Sequence, residues 1–228
     1  ILIDKYISIL LNLNVSSRST ILATGEIYHV FNRSVNRTPI FVGKKDCGFF
    51  HDASLFYLQS KPPTKYSMYR KNCDRYKMDY SDKLVSVICD SLMPNHFHFI
   101  LKQLEEDGIQ KFIQRTTSSF AHYFNIKNNK SGHLFERSFM AVRVETDEQL
   151  IHMTRYIHLN STTDFLVNKP EDYPYSSYRH YLGLENDPLI DSSLVLDQFK
   201  NVDEYKKFVE ERIDYQRKLK EIEHLIVE

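Results

Sequence analysis

The chain has 228 residues, enough for one domain with a substantial core, and it is 42% hydrophobic and 13% aromatic with no tryptophan. This composition excludes a disordered chain, and the lack of an apolar run of about 18 residues argues against a membrane span. Lys plus Arg and Asp plus Glu balance at 30 each. Residues 30–83, however, hold 11 Lys and Arg against 5 Asp and Glu, whereas residues 184–228 hold 7 against 12. We therefore expect a basic face and an acidic C-terminal segment.

Residues 1–22 form an N-terminal arm to which the sequence assigns no role. They lack an initiator Met and a basic region, and Asp4 interrupts them, which disfavours a secretory signal. The three cysteines, Cys47, Cys73 and Cys89, are too widely spaced for a thiolate zinc site. Their odd number fits a reducing compartment better than a disulfide framework.

Hydrophobic periodicity predicts an alternation of strands and helices after this arm. The predicted elements are a strand at Gly25–Ser34, a helix at Lys45–Gln59, strands at Leu84–Asp90 and His96–Lys102, a helix at Ile109–Asn125, a strand at Phe139–Val144 and a helix from Thr146 or Asp147 to about Asn160. This order predicts an α+β fold, a ferredoxin-like or split βαβ sandwich with an antiparallel sheet. Its two first helices should pack on one sheet face and leave the other face free. A further amphipathic helix is expected over Asn201–Ile226.

The segment 60–82 is rich in basic residues and tyrosines, with Pro62 and Pro63 near its start. Such a composition can bind single-stranded nucleic acid by stacking and phosphate contacts. It can equally be a solvated loop with half-packed tyrosines, and the sequence does not decide between the two.

The most informative stretch is Leu92–Leu101, in which two histidines flank one phenylalanine after a Pro-Asn turn signal. Side chains alternate along a strand, so His96 and His98 should share one face at a spacing of about 7 Å, near enough to bind one ion. A single His-x-His is more often incidental than a metal site.

A second polar set lies downstream at helical spacing, where His152, Tyr156 and Asn160 follow one another every four residues. Tyr156 could simply cover the sheet while Asn160 ends the helix. Combined with the histidine pair, however, two imidazoles and an amide oxygen could hold a divalent ion and leave positions open for a phosphate. A phenol near such an ion could then attack phosphorus.

Several motifs resemble one protein family in the same order. His96-Phe97-His98 after Leu92-Met93-Pro94-Asn95 is similar to the histidine–hydrophobe–histidine signature of the HUH endonucleases. The chain resembles more closely the REP-associated tyrosine transposases, single-tyrosine enzymes of the IS200-like superfamily. The further matching pieces are Tyr28–Arg33, Gly132–Arg137, Arg155–Asn160 and Tyr173–Tyr178.

The resemblance implies a transposase domain over 23–183, followed by an acidic helical extension at 184–228. It implies a Mg²⁺- or Mn²⁺-dependent enzyme that cleaves single-stranded DNA next to a hairpin and leaves a 5′-phosphotyrosine and a free 3′-hydroxyl. Tyr156 would be the nucleophile and His96, His98 and Asn160 the metal ligands. Four arginines would contact DNA phosphates, namely Arg33, Arg37, Arg137 and Arg143.

Such a protein would work in the bacterial cytoplasm at the nucleoid, without a membrane, as a monomer or homodimer. The sequence departs from its relatives at Ser161, where they usually have proline, so the end of that helix is expected to be less fixed. An alternative function is a nucleic-acid-binding module, such as a domesticated transposase, that uses an open sheet face without chemistry.

Overall fold

A computed structural model describes residues 21–136 and 138–226, and at residues 222–226 the backbone alone. Most of the predicted N-terminal arm and the predicted DNA contact Arg137 lie outside the described residues. The longer elements are β1 (Ile27–Arg33), α1 (Lys44–Phe56), α2 (Tyr66–Tyr69), β2 (Val85–Met93), β3 (His96–Gln103), α3 (Gly108–Lys127), β4 (Met140–Val144), α4 (Asp147–Thr163), α5 (Tyr178–Tyr181), α6 (Ser193–Leu196), α7 (Val202–Glu210) and α8 (Ile213–Ile226).

The four strands form one antiparallel sheet in the order β2-β3-β1-β4. Strand β1 lies in the centre, between β3 and β4, and β2 pairs with β3 through a two-residue turn at Pro94 and Asn95. This is the strand order of a ferredoxin-like sandwich, so the predicted α+β fold class is confirmed.

One face of the sheet packs against α1 and α3 through aromatic side chains. Phe97 and Phe99 project from β3 onto Phe50 of α1, and Phe99 also meets Phe112 of α3 with their rings 5.8 Å apart. These four rings are almost completely removed from solvent. Burial of such aromatic surface is the main source of stability for the sandwich, as the alternation of β3 predicts.

The opposite face, which was expected to be free, is covered in its β2–β3 half, whereas Phe31, Met140 and Val142 in its β1–β4 half are partly exposed. Helix α4 packs on it next to β2, and α7 and α8 pack in turn on α4. As a result His98 is buried, and Tyr205 of α7 is completely buried against α4. The prediction of a free face was wrong for this half because α4, the helix that carries Tyr156, itself folds back onto the sheet. The covered half of the face is therefore closed to a binding module of the kind considered as the alternative function.

The outer edge of β2 is also protected. The amide of Leu92 donates to the carbonyl of Tyr175, the Tyr173 hydroxyl donates to the Leu92 carbonyl, and Val87 forms a parallel bridge with Ile190. An unpaired strand edge invites association with other chains, and this segment prevents it. The Tyr173–Tyr178 motif therefore has a structural function.

Helix α4 continues three residues beyond Asn160, since Ser161 supplies the amide that a proline would lack. Its end is fixed, because Phe165 adopts a left-handed conformation with φ 56° and the Leu166 amide donates to the Ser161 carbonyl. The expectation of a less fixed helix end was therefore wrong. The predicted helix over Asn201–Ile226 is in fact two helices, α7 and α8.

The tyrosine-rich segment 60–82 mostly packs against α1. Tyr66 is buried, with its ring 5.2 Å from Phe49, and Tyr69 lies 4.9 Å from Phe56. These rings are not available for stacking on bases, which favours the loop with packed tyrosines. The three cysteines are free thiols. Within the part of the chain that the structure describes, no helix has both the length and the apolar character needed to cross a membrane.

Two helical glycines predict opposite effects of the same substitution. A Cβ at Gly108 would overlap the carbonyl oxygen of Leu84, a backbone atom that also accepts from the Leu104 amide, whereas Gly48 of α1 has open space. We expect Gly108→Ala to lower the free energy of unfolding by about 1–3 kcal/mol because the backbone at Leu84, just before β2, must shift. Gly48→Ala should raise it by about 0.5–1 kcal/mol because alanine favours the helix. Urea unfolding of both variants measures these changes. An unchanged free energy of unfolding in Gly108→Ala would contradict the close approach of Gly108 to the Leu84 carbonyl.

Candidate active site

The histidine pair lies at the start of β3, on the sheet face covered by α4. Its two rings are 4.9 Å apart and nearly perpendicular. In the register with β1, Arg33 is opposite His96 and Phe31 is opposite His98. Directly opposite residues point to the same face of a sheet, so the pair and the Arg33 side chain share one face, as the alternation predicted.

The tautomer of His96 is set by the turn before it. Its Nδ1 lies 2.6 Å from the side-chain oxygen of Asn95, whose amide nitrogen donates to the backbone carbonyl of Arg37. Because a carbonyl oxygen only accepts, the proton of the His96 ring is on Nδ1 and its Nε2 carries a lone pair. Burial, with Arg33 and Lys220 nearby, lowers the pKa of His96 to about 4 and keeps the ring neutral.

His98 has a partner that sequence reasoning did not find. Its Nδ1 lies 2.9 Å from Nε2 of His29 on β1, and the two rings are within 15° of parallel. Burial lowers the pKa of His29 to about 3 and the pKa of His98 well below its usual value. Both rings are therefore neutral near pH 7, the form in which an imidazole binds a metal.

Tyr156 of α4 meets the pair within the same chain. Its ring centroid is 6.2 Å from that of His98, edge to face, and the side chain is half-buried. Asn160 lies one helical turn further on, so its side chain faces the same way as Tyr156. Asn160 is 6% exposed, and its side-chain nitrogen is buried without a hydrogen-bond partner in the described structure.

A buried hydrogen-bond network fixes the rotation of α4. His158 contacts Cys89 of β2 and Ser177 through Nε2, at 3.3 and 2.9 Å, and the Tyr205 hydroxyl through Nδ1, at 2.7 Å. Cysteine, histidine and serine together could suggest a nucleophilic site. All are almost completely buried, however, and burial raises the pKa of the Cys89 thiol. The network anchors one side of α4 through His158, and Tyr156 and Asn160 therefore lie on a different side of the same helix.

A buried arginine side chain joins the C-terminal helices to α4. Arg155 is 5% exposed and stacks on Phe208 of α7, with its guanidinium carbon 4.2 Å from the ring centroid. It also hydrogen-bonds to His152 and the Phe208 carbonyl, and lies 3.7 Å from the Glu211 carboxylate. His152, the first member of the predicted polar set, thus belongs to this anchor.

These residues fit a divalent cation. Both imidazoles are neutral and engage Nδ1 in a hydrogen bond, Nε2 of His96 carries a lone pair, and the Asn160 amide has unused hydrogen-bonding capacity. In the described part of the chain, no three His, Cys, Asp or Glu side chains are grouped so that they could hold a metal. A cation here would depend on the imidazoles and the amide, with its other positions left to water or a phosphate.

The predicted DNA contacts are distributed unevenly. Arg33 lies beside His96 and pairs with Glu136 at 3.8 Å, and Arg37 is exposed in the turn after β1. Arg143 is opposite Tyr28 in the register, which places it on the other sheet face, where it pairs with Glu26 at 2.7 Å. The fold therefore brings Arg33 to the site, but not Arg143.

A groove of about 360 Å³ begins at the turn before His96. It is lined by the turn, by the end of α4 and by one basic residue of α8, namely Pro94, Asn95, Thr163, Asp164, Phe165, Leu166 and Lys220. Lys220 lies 3.6 Å from the Asp164 carboxylate. The sequence did not predict a contribution from this C-terminal helix.

The fold agrees with comparisons to known proteins. Residues 66–160 match the family described as "Transposase IS200 like". This segment contains His96, His98, Tyr156 and Asn160, and the predicted relationship to these transposases is confirmed. The matched segment of 95 residues is therefore similar to an IS200-like transposase. No curated protein matches the chain.

Two solved structures are similar to this chain to different degrees. A structure of the REP-associated tyrosine transposase bound to a REP hairpin aligns with a TM-score of 0.50 and 13% identity, covering 77% of this chain and 92% of that one. A crystal structure of a candidate transposase from Deinococcus radiodurans R1 aligns with a TM-score of 0.34 and 14% identity, covering 62% and 93%. The first likeness supports the ferredoxin-like fold.

Proposed function

We propose that this protein is a metal-dependent endonuclease and strand transferase for single-stranded DNA, with Tyr156 as the nucleophile. The observation that carries the proposal is the 6.2 Å approach of the Tyr156 and His98 rings within one chain. Residues that are 58 positions apart thereby form one site, inside a segment that matches the IS200-like transposases.

Each residue has a defined part in the proposed reaction. His96 and His98 would bind a divalent cation, Mg²⁺ or Mn²⁺, through Nε2, and Asn160 would bind it through its side-chain oxygen. The cation, when bound, polarises the scissile phosphate. The Tyr156 oxygen attacks phosphorus and loses its proton, the bond to the 3′ oxygen breaks, and a 5′-phosphotyrosine and a free 3′-hydroxyl are formed. Attack of a 3′-hydroxyl on the phosphotyrosine reverses the step and joins strands.

Positive charge near the site would hold the DNA backbone. Arg33 lies on the same sheet face as His96, Arg37 is exposed in the neighbouring turn, and Lys220 lines the adjoining groove. Arg137 remains a proposed phosphate contact, and Arg143, on the far face of the sheet, would contact only DNA that extends beyond the site. The REP-associated relative is bound to a hairpin, and we propose hairpin-bearing single-stranded DNA as the substrate here.

An oligonucleotide with two labels tests the proposal. A hairpin followed by a single-stranded flank is labelled at both ends and incubated with the protein and Mn²⁺. We expect the 3′-labelled part to remain on the protein in SDS and the 5′-labelled part to be released with a 3′-hydroxyl that a polymerase extends. Retention of the 5′ label, or DNA binding without an adduct at any divalent cation tested, would contradict the proposed chemistry.

A further inference from the structure

His29 of β1 is completely buried, and its single polar contact among the described residues is with His98. The rings lie side by side rather than stacked face to face. Their centroid separation of 5.1 Å is close to the N···N distance of 2.9 Å plus the two ring radii. The hydrogen bond therefore runs in the planes of both rings, which is the strong geometry for an imidazole pair.

One proton lies between the two nitrogens of this bond, and the ring that carries it determines whether Nε2 of His98 can bind a metal. If His29 donates, the remaining proton of a neutral His98 is on Nε2, and that nitrogen cannot bind a metal. If His98 donates from Nδ1, its Nε2 has a lone pair. His96 is already held in the second state by Asn95. For both histidines to bind one cation through Nε2, His98 must be in this second state as well.

Stability alone does not explain His29. Its Nδ1 is buried and has no hydrogen-bond partner in the described structure. When His29 accepts from His98, this unpaired nitrogen also carries the proton of its ring, which is an unfavourable place for a donor. A leucine of similar size would fill the site without this cost. The arrangement is understandable if His29 is retained for its effect on His98.

We infer that His29 is a positioning residue for the metal site, in that it accepts the Nδ1 proton of His98 and thereby directs Nε2 at the cation. The inference rests on the proposed function, since it presumes that His98 is a ligand. Partners of this kind around metal ligands affect metal affinity by about 10- to 100-fold.

Mn²⁺ binding without DNA, followed by water proton relaxation, tests the inference independently of cleavage. We expect His29→Leu, which removes the acceptor, to weaken Mn²⁺ binding by about 10-fold or more. His29→Gln, whose side-chain oxygen can take the place of Nε2, should restore most of the affinity. Phe31→Leu is the matched control, since Phe31 lies 5.7 Å from the His98 ring and takes no part in the hydrogen bond.

A second measurement applies to the unaltered protein and does not depend on the folding of a variant. In ¹⁵N spectra recorded without a divalent cation, we expect the His98 proton on Nδ1. A proton on Nε2, or equal Mn²⁺ affinity of wild type and a folded His29→Leu, would overturn the inference. If wild type forms the DNA adduct in that case, the proposed function stands. If His29→Leu weakens Mn²⁺ binding but wild type forms no adduct, the proposed function fails and the inference stands.

Discussion

Tyr156→Phe is expected to abolish formation of the SDS-resistant DNA adduct, with a loss of at least about 10³-fold, or about 4 kcal/mol in activation free energy. Phenylalanine keeps the ring that meets His98 edge to face and removes only the oxygen that would attack phosphorus. Folding and DNA affinity should therefore change little. The measurement is adduct yield against time, together with affinity for the same oligonucleotide.

A matched substitution shows whether the effect is specific to this phenol. Tyr175 is also half-buried, but it lies beside the edge of β2 rather than near the histidine pair. Tyr175→Phe should leave adduct formation unchanged. An adduct that persists in Tyr156→Phe would assign the nucleophile to another residue and disprove the proposed role of Tyr156.

His96→Ala and His98→Ala should each reduce cleavage by at least about 10²-fold, while DNA affinity falls by less than about threefold. The reason is a division of function, because the imidazoles would act through the cation and the arginines through phosphate contacts. Cleavage at saturating DNA and equilibrium binding without a divalent cation measure the two effects separately.

Arg33→Gln should show the opposite pattern. It is expected to weaken DNA binding and to reduce the slope of log affinity against log salt by about 1. Cleavage at saturating DNA should be nearly preserved. A histidine variant that loses DNA affinity as strongly as Arg33→Gln would contradict this separation.

Local patterns were sufficient for the sheet and for the positions of its strands. The alternation around His96 and His98 correctly gave two faces of β3, and the predicted helix correctly placed Tyr156 and Asn160 one turn apart on α4. Both are regular periodicities, which depend on backbone geometry and need no tertiary information.

The contacts that complete the site could not be predicted in this way. The pairing of His29 with His98 depends on the register between β1 and β3, which the sequence does not specify. The packing of the C-terminal helices on α4 involves Arg155, a residue that the sequence suggests is an exposed helical cation and that is in fact buried against Phe208. The Tyr28–Arg33 motif was the one available signal for His29.

The histidine pair and Tyr156 belong to a single polypeptide, and the proposed chemistry uses one phenol, that of Tyr156. Under the proposed chemistry, one molecule can therefore carry only one DNA end at a time. Excision of a segment produces two ends, so a complete transfer needs either two molecules acting together or two successive cycles by the same molecule. The stoichiometry of protein to joined DNA would distinguish these routes.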